Sequence, residues 1–155
     1  MKILICDDHK IVRIGIRHLL QQLKGVISID EAENGNEALA FLKSNDINIV
    51  LLDITLPGIS GLEVLQIIKT KWKTINVLML SMHPQEQYAI RALKLGASGY
   101  LTKDTASEEL LLAVKKIAAG GKYISMALAD NLAAYIDNES NTYKHDILSK
   151  REFEI

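Results

Sequence analysis

Five polar residues that could do chemistry together each follow a short aliphatic run. Asp7 and Asp8 follow Ile3-Leu4-Ile5-Cys6, and Asp53 follows Ile49-Val50-Leu51-Leu52. Ser81 follows Val77-Leu78-Met79-Leu80, and Lys103 comes just after Tyr100-Leu101-Thr102. If the runs are strands of one parallel sheet, all five residues gather at one edge. Three carboxylates brought that close repel one another unless a cation compensates. Hard oxygen donors with no His or Cys cluster of metal-ligand spacing favour Mg2+, which keeps some of its waters and binds phosphate oxygens. The outline is that of a phosphoryl-transfer site, which needs an in-line nucleophile and neutralised equatorial oxygens. Asp53 is the best nucleophile, because it sits between an apolar strand and the loop Ile54-Thr55-Leu56-Pro57-Gly58. Asp7 and Asp8 would hold the metal, Lys103 would pair with a phosphate oxygen, and the Ser81 hydroxyl would bond another.

The elements that must position these residues are legible as a rhythm. Apolar runs at Lys2 to Cys6, Val26 to Asp30, Ile47 to Leu52, Ile75 to Leu80 and Ser98 to Leu101 have strand length. Segments between them carry apolar residues at helical spacing, such as Val12, Ile16, Leu19, Leu20 and Leu23, or Leu62, Leu65 and Ile68. Five β-α units with nearly all-apolar strands imply an α/β fold with a doubly wound parallel sheet and helices on both faces. Ligands of such sheets bind at the carboxyl ends of the strands. The fifth helix is expected from about Ser107 to Ala119, with Thr105 or Ser107 as its cap and Gly120-Gly121 as its stop.

With 155 residues, 48% of them hydrophobic, the chain can bury one substantial core and a small appendage. The formal net charge of -1 excludes a whole-molecule attraction to polyanions. Cys6, the one cysteine, is expected to be a small core residue, and no apolar stretch reaches the length of a membrane span, so a cytoplasmic protein without membrane contact is expected. The α/β part should occupy residues 1–124, and residues 125–147 a helical segment (Met126 to Ile136) and a polar linker, leaving 148–155 as the start of another domain. Residues 125 to 155 carry six acidic and three basic side chains and are no DNA-binding surface by themselves.

Three segments, Ile3-Leu4-Ile5-Cys6-Asp7-Asp8, Leu51-Leu52-Asp53-Ile54-Thr55-Leu56-Pro57-Gly58 and Gly96-Ala97-Ser98-Gly99-Tyr100-Leu101-Thr102-Lys103-Asp104, together with Ser81, resemble the receiver domain of two-component response regulators. The resemblance implies a flavodoxin-like five-stranded sheet of order 2-1-3-4-5, an order the family itself illustrates in general accounts of doubly wound folds. It implies that Asp53 accepts the phosphoryl group of a histidine kinase's phosphohistidine. Mg2+ would be held by Asp8, Asp53 and the backbone carbonyl of Thr55, with Asp7 beside them, and Ser81 and Tyr100 would form a switch pair. In the family the hydroxyl residue moves toward the phosphate and the aromatic residue turns inward.

Glu108-Glu109-Leu110 and Ala118-Ala119-Gly120-Gly121-Lys122-Tyr123-Ile124-Ser125 are similar to the NarL/FixJ subgroup. Leu148-Ser149-Lys150-Arg151-Glu152-Phe153-Glu154-Ile155 resembles the opening of a LuxR-type helix-turn-helix, Ser149 and Glu152 forming a capping box. The chain thus reads as a piece of a transcription factor that binds DNA only through a missing C-terminal domain and forms a homodimer on phosphorylation. It is expected to catalyse only its own phosphorylation and dephosphorylation. Asp104 stands where many receivers have proline, so a cis peptide is less expected there.

Two other functions compete. A phosphatase of the haloacid dehalogenase kind would need a second Asp two positions after Asp53, where Thr55 stands. A stand-alone interaction switch would lack the Leu-Ser-Lys-Arg-Glu ending. His9 and His83 near the site are read as loop and cap residues, His18 and His145 as surface residues, and Trp72 as a packing aromatic.

Overall fold

The computed structural model describes residues 1–82, 86–103, 107–124, 129–130 and 133–134. The chain divides into two units, Met1–Ile124 and Ser125–Ile155. In the second, residues 129–130 and 133–134 are helical. The expected linker and helix-turn-helix opening lie outside the described residues, as do most of the segment from Met126 to Ile136 and the positions of His83, Asp104, Thr105 and His145.

The first unit alternates strand and helix throughout: β1 (Lys2–Cys6), α1 (Lys10–Leu20), β2 (Ser28–Ala32), α2 (Gly35–Ser44), β3 (Ile49–Asp53), α3 (Gly61–Lys71), β4 (Asn76–Ser81), α4 (Glu86–Lys94), β5 (Gly99–Thr102), α5 (Ser107–Ala118) and β6 (Tyr123–Ile124). All pairings are parallel, in the order β2-β1-β3-β4-β5-β6. The doubly wound α/β fold and the order of the first five strands are as expected.

Successive strand residues face opposite sides of the sheet. Ile3, Ile5, Ile49, Leu51, Leu78, Leu80 and Leu101 therefore share one face, where they pack with Ile16 and Leu20 of α1 and Leu110, Val114 and Ile117 of α5. Leu4, Val50, Leu52, Val77, Met79 and Tyr100, also buried, face the other way. There α2 packs beside α3, and α3 beside α4. The central strand β3 is buried along its whole length, while β2 at the edge is buried only at Ala32.

Two differences from expectation have physical causes. The second strand begins at Ser28, two residues later than Val26, because pairing with β1 in the register Lys2 with Ser28 sets its limits. An edge strand with one neighbour does not need an unbroken apolar run. A sixth, two-residue strand follows α5, with Tyr123 paired to Gly99 and Ile124 to Tyr100. Gly99 makes that pairing possible, since a Cβ there would come within 2.6 Å of the Tyr123 carbonyl oxygen.

Candidate functional site: an acidic pocket at the strand tips

Residues ending or following the central strands meet at the carboxyl edge of the sheet. Asp53 and Ser81 close β3 and β4, Asp7 and Asp8 follow β1, and Lys103 follows β5. The register pairs Cys6 with Leu52, Asp53 with Leu80, and Ser81 with Thr102, so the strands end level with one another. The Ile54 N–H bonds the Leu80 carbonyl at 2.9 Å and the Lys103 N–H bonds the Ser81 carbonyl at 2.7 Å, which carries the ladder past the strand ends. Gly61 lets the start of α3 lie against the tip of β3; any Cβ there would collide with the Asp53 carbonyl oxygen. Ser60 caps α3 by accepting the Glu63 N–H at 3.3 Å.

Asp7 is fully buried and Asp53 is 1% exposed. Lys103 Nζ bridges them, 2.9 Å from Asp53 Oδ2 and 2.7 Å from Asp7 Oδ2. The contact with Asp53 is a hydrogen bond, whereas Asp7 Oδ2 has the ion pair without an aligned donor. The Thr55 N–H donates to Asp53 Oδ1 at 3.1 Å. Asp8 points to the open side, its side chain 36% exposed.

Burial raises the Asp53 carboxyl above its ordinary pKa; the hydrogen bond and charge of Lys103 oppose this without overcoming it, and the Asp7 charge adds to it. Burial alone would lower the Lys103 pKa, but the hydrogen bond to Asp53 and the close carboxylates of Asp7 and Asp53 outweigh it and leave the ammonium raised. Two buried carboxylates thus share one cation, and neither is fully satisfied by it. Ligand atoms of Asp7, Asp8, His9 and Asp53 all lie within 4.8 Å of one another. An excess of hard oxygen donors around an unaligned buried carboxylate oxygen fits a small divalent cation.

Ser81, the last residue of β4, is 7% exposed. Tyr100 lies one step inside the edge, paired with Met79, and is fully buried. Burial raises its hydroxyl pKa, with Ser81 close enough to oppose the shift although no hydrogen bond of full geometry closes on the hydroxyl. Cys6 is a buried core residue whose thiol is pushed up to about 12, first by burial and then by the charges of Asp53 and Asp7. Trp72 caps the far end of α3, half-buried, and His18 is on the surface.

Two residues near the pocket, His9, expected as a loop and cap residue, and Arg13, which the residue pattern left unread, touch its carboxylates or their backbone. His9 holds the N-cap position of α1 but makes no side-chain cap bond; its Nδ1 lies 3.2 Å from Asp7 Oδ1 and 3.1 Å from Asp8 Oδ1. Arg13, 6% exposed, donates to the Asp7 carbonyl at 2.6 Å and to Glu31 at 3.0 Å. Its signal was the spacing 13, 16, 20, which puts an arginine on the buried face of α1 with Ile16 and Leu20.

A doubly wound parallel sheet with a buried Asp-Asp-Lys cluster at its strand tips defines a class of phosphoryl-responsive signalling domains. The chain belongs to the response regulator family, and residues 3–115 match the response regulator receiver domain. It is 33% identical to the response regulator UvrY of Escherichia coli, over all of this chain and 72% of that protein. To the nitrate/nitrite response regulator NarL of Escherichia coli it is 36% identical, over 99% of this chain and 72% of that one. The crystal structure of a LuxR-family response regulator from Aurantimonas matches with TM-score 0.82 and 34% identity, covering 86% of this chain and 96% of that one. The chain is therefore a receiver-bearing two-component response regulator of the LuxR-type group. Among the described residues no helix is long and apolar enough to cross a membrane.

Proposed function

We propose that Asp53 is the phosphoacceptor and that Mg2+ is held by Asp8, Asp53 and the backbone carbonyl of Thr55, with Asp7 beside them. The observation that carries this reading is Lys103 Nζ, bonded to Asp53 and paired with Asp7 in one buried cluster. An Asp53 oxygen attacks the phosphorus of a histidine kinase's phosphohistidine whose other ring nitrogen already carries a proton; the P–N bond breaks, its electron pair stays on the ring nitrogen, a P–O bond forms, and neutral imidazole leaves. The rigid tip of β3 aims the nucleophile, and the apolar strands behind it keep water from its inner side. Lys103 turns from the carboxylates to a phosphoryl oxygen, and the Ser81 hydroxyl bonds another. When bound, Mg2+ would neutralise charge on the phosphoryl oxygens. The chain catalyses only its own phosphorylation and dephosphorylation.

Ser81 and Tyr100 form the switch pair, and Tyr100 already occupies the inward position that the family associates with phosphorylation. Phosphorylation shifts a pre-existing equilibrium. Residues 1–124 act as the receiver, residues 125–147 connect it to the output, and residues 148–155 open a LuxR-type DNA-binding domain. Dimerisation on phosphorylation in the cytoplasm completes the reading.

Intact-mass spectrometry after incubation with acetyl phosphate tests it. The expected result is a Mg2+-dependent gain of one phosphoryl group that Asp53→Asn abolishes. An adduct that persists in Asp53→Asn, or forms equally without metal, overturns the assignment.

A further inference from the structure

Among the described residues Arg13 is the only buried arginine, its guanidinium side chain 7% exposed. A guanidinium stays charged and is costly to bury, so its surroundings must compensate it. Part of the compensation is ionic. Nε lies 3.0 Å from Glu31 and Nη2 3.6 Å from Glu33, while Arg17 holds the other Glu31 oxygen at 2.9 Å. Two arginines thus face two glutamates, and the group adds little net charge to the neighbouring pocket.

The remaining contact is of a different kind. Arg13 Nη1 donates to the backbone carbonyl of Asp7 at 2.6 Å, and the Asp7 N–H donates to the Ala32 carbonyl at 3.1 Å. Both main-chain groups of Asp7 are therefore held, one by α1 and one by β2. The peptide unit is planar, so fixing the Asp7 carbonyl also fixes the nitrogen of Asp8 and the direction in which Asp8 leaves the strand. Asp8 depends on this: its carboxylate is 36% exposed, and its described contact is the exposed imidazole of His9 at 3.1 Å. Asp7 is anchored by burial and by Lys103; Asp8 is anchored through its backbone.

We propose that Arg13 is a positioning residue for the divalent-cation site, setting the plane of the Asp7–Asp8 peptide and thereby presenting the Asp8 carboxylate beside Asp7 and Asp53. The inference rests on the reading of these carboxylates as cation ligands. What Arg13 supplies is a rigid fork reaching two elements at once, not its charge. Arg17 serves as an internal control, because it shares Glu31 and does not reach Asp7.

The experiment titrates MgCl2 into the full 155-residue chain, followed by backbone amide resonances, for wild type, Arg13→Lys, Arg13→Gln and Arg17→Gln. Outer partners of metal ligands typically govern affinity by about 10–100-fold, and a tenfold rise in the Mg2+ dissociation constant is expected for both Arg13 variants. Arg17→Gln should leave it nearly unchanged. In Arg13→Lys, which keeps the charge and the aliphatic stem should Arg13→Gln fail to fold, the acetyl phosphate reaction should need more Mg2+ yet approach the wild-type maximal rate. Asp53 and Lys103, which come from other strands, are undisturbed there. Wild-type Mg2+ affinity in Arg13→Lys, or an equal loss in Arg17→Gln, overturns the positioning role. A wild type that binds Mg2+ but takes no phosphoryl group, with Arg13→Lys binding weakly, sinks the phosphoacceptor reading and keeps this one. A wild type that binds no Mg2+ removes both.

Discussion

The two edges of the sheet are finished in opposite ways. At the amino edge, neutral amides and hydroxyls stitch neighbouring strands. The Lys2 N–H donates to Asn48 Oδ1 at 2.7 Å, the Asn48 N–H returns to the Lys2 carbonyl at 2.9 Å, the Asn76 N–H reaches the Asn48 carbonyl at 3.0 Å, and Ser98 Oγ bonds Asn76 Oδ1 at 3.1 Å. Each of these groups has its partner within the protein. At the carboxyl edge, Asp7 and Asp53 share one ammonium and Asp8 stands half open beside them. The same strands carry both edges, so the contrast lies in the residues placed at their ends. One end is satisfied by the chain itself; the other is left short of positive charge, as the proposed cation and phosphoryl site requires.

The largest break in that contrast comes from removing the shared cation. Lys103→Met leaves two buried carboxylates facing each other without compensation, and disrupting such a pair costs about 3–5 kcal/mol. The expected result is a fall of that order in the unfolding free energy, read as a lower urea midpoint, near neutral pH without added metal. Mg2+ should restore part of the loss, since it replaces the missing charge. An undiminished midpoint would mean that the pocket relaxes or hydrates enough to make the lysine dispensable for folding.

A smaller effect should appear at the other edge. Asn48→Ala removes an acceptor that the Lys2 N–H uses in a partly solvated place, worth roughly 1 kcal/mol. The loss should be indifferent to Mg2+, and the acetyl phosphate adduct should form as in wild type. If Asn48→Ala altered metal response, the two edges would be coupled through the strands, and the contrast would not be one of independent ends.

Much of this arrangement was legible because the strands are apolar and their ends are not. Asp53 after Ile49–Leu52 and Lys103 after Thr102 mark the edge by a change of residue type, and parallel pairing does the rest. What escaped was information the pattern does not carry. Ser28–Ala32 is a half-polar edge strand whose limits come from its neighbour, and β6 is too short to show a period. Arg13 stands between Val12 and Ile14, and its spacing with Ile16 and Leu20 places it on the buried face of α1 without saying what it bonds. Its meaning lies in a backbone carbonyl six residues earlier, which spacing alone does not single out.

The finest test concerns the sign of a pH effect. Asp53 is harder to ionise in the folded protein than in the unfolded chain, because burial outweighs Lys103. Ionising it therefore costs folding free energy, so its contribution falls as pH rises from the ordinary carboxylate value near 3.8 through its own raised value. Lys103 acts with the opposite dependence at the alkaline end: its raised pKa gives stability present below 10.5 and lost as pH climbs through the raised folded value. Asp53→Asn removes the first effect while Asp7 continues to hold Lys103. Metal-free Asp53→Asn should thus be slightly more stable than wild type at pH 7, the gain disappearing toward pH 3.8, where the wild-type carboxyl is itself protonated. Thermal midpoints across that range, in the presence of a chelator, read the difference directly. A variant less stable than wild type at pH 7 would show that the Lys103 pairing outweighs burial at Asp53, and that the carboxyl edge is nearer to satisfied than its charges imply.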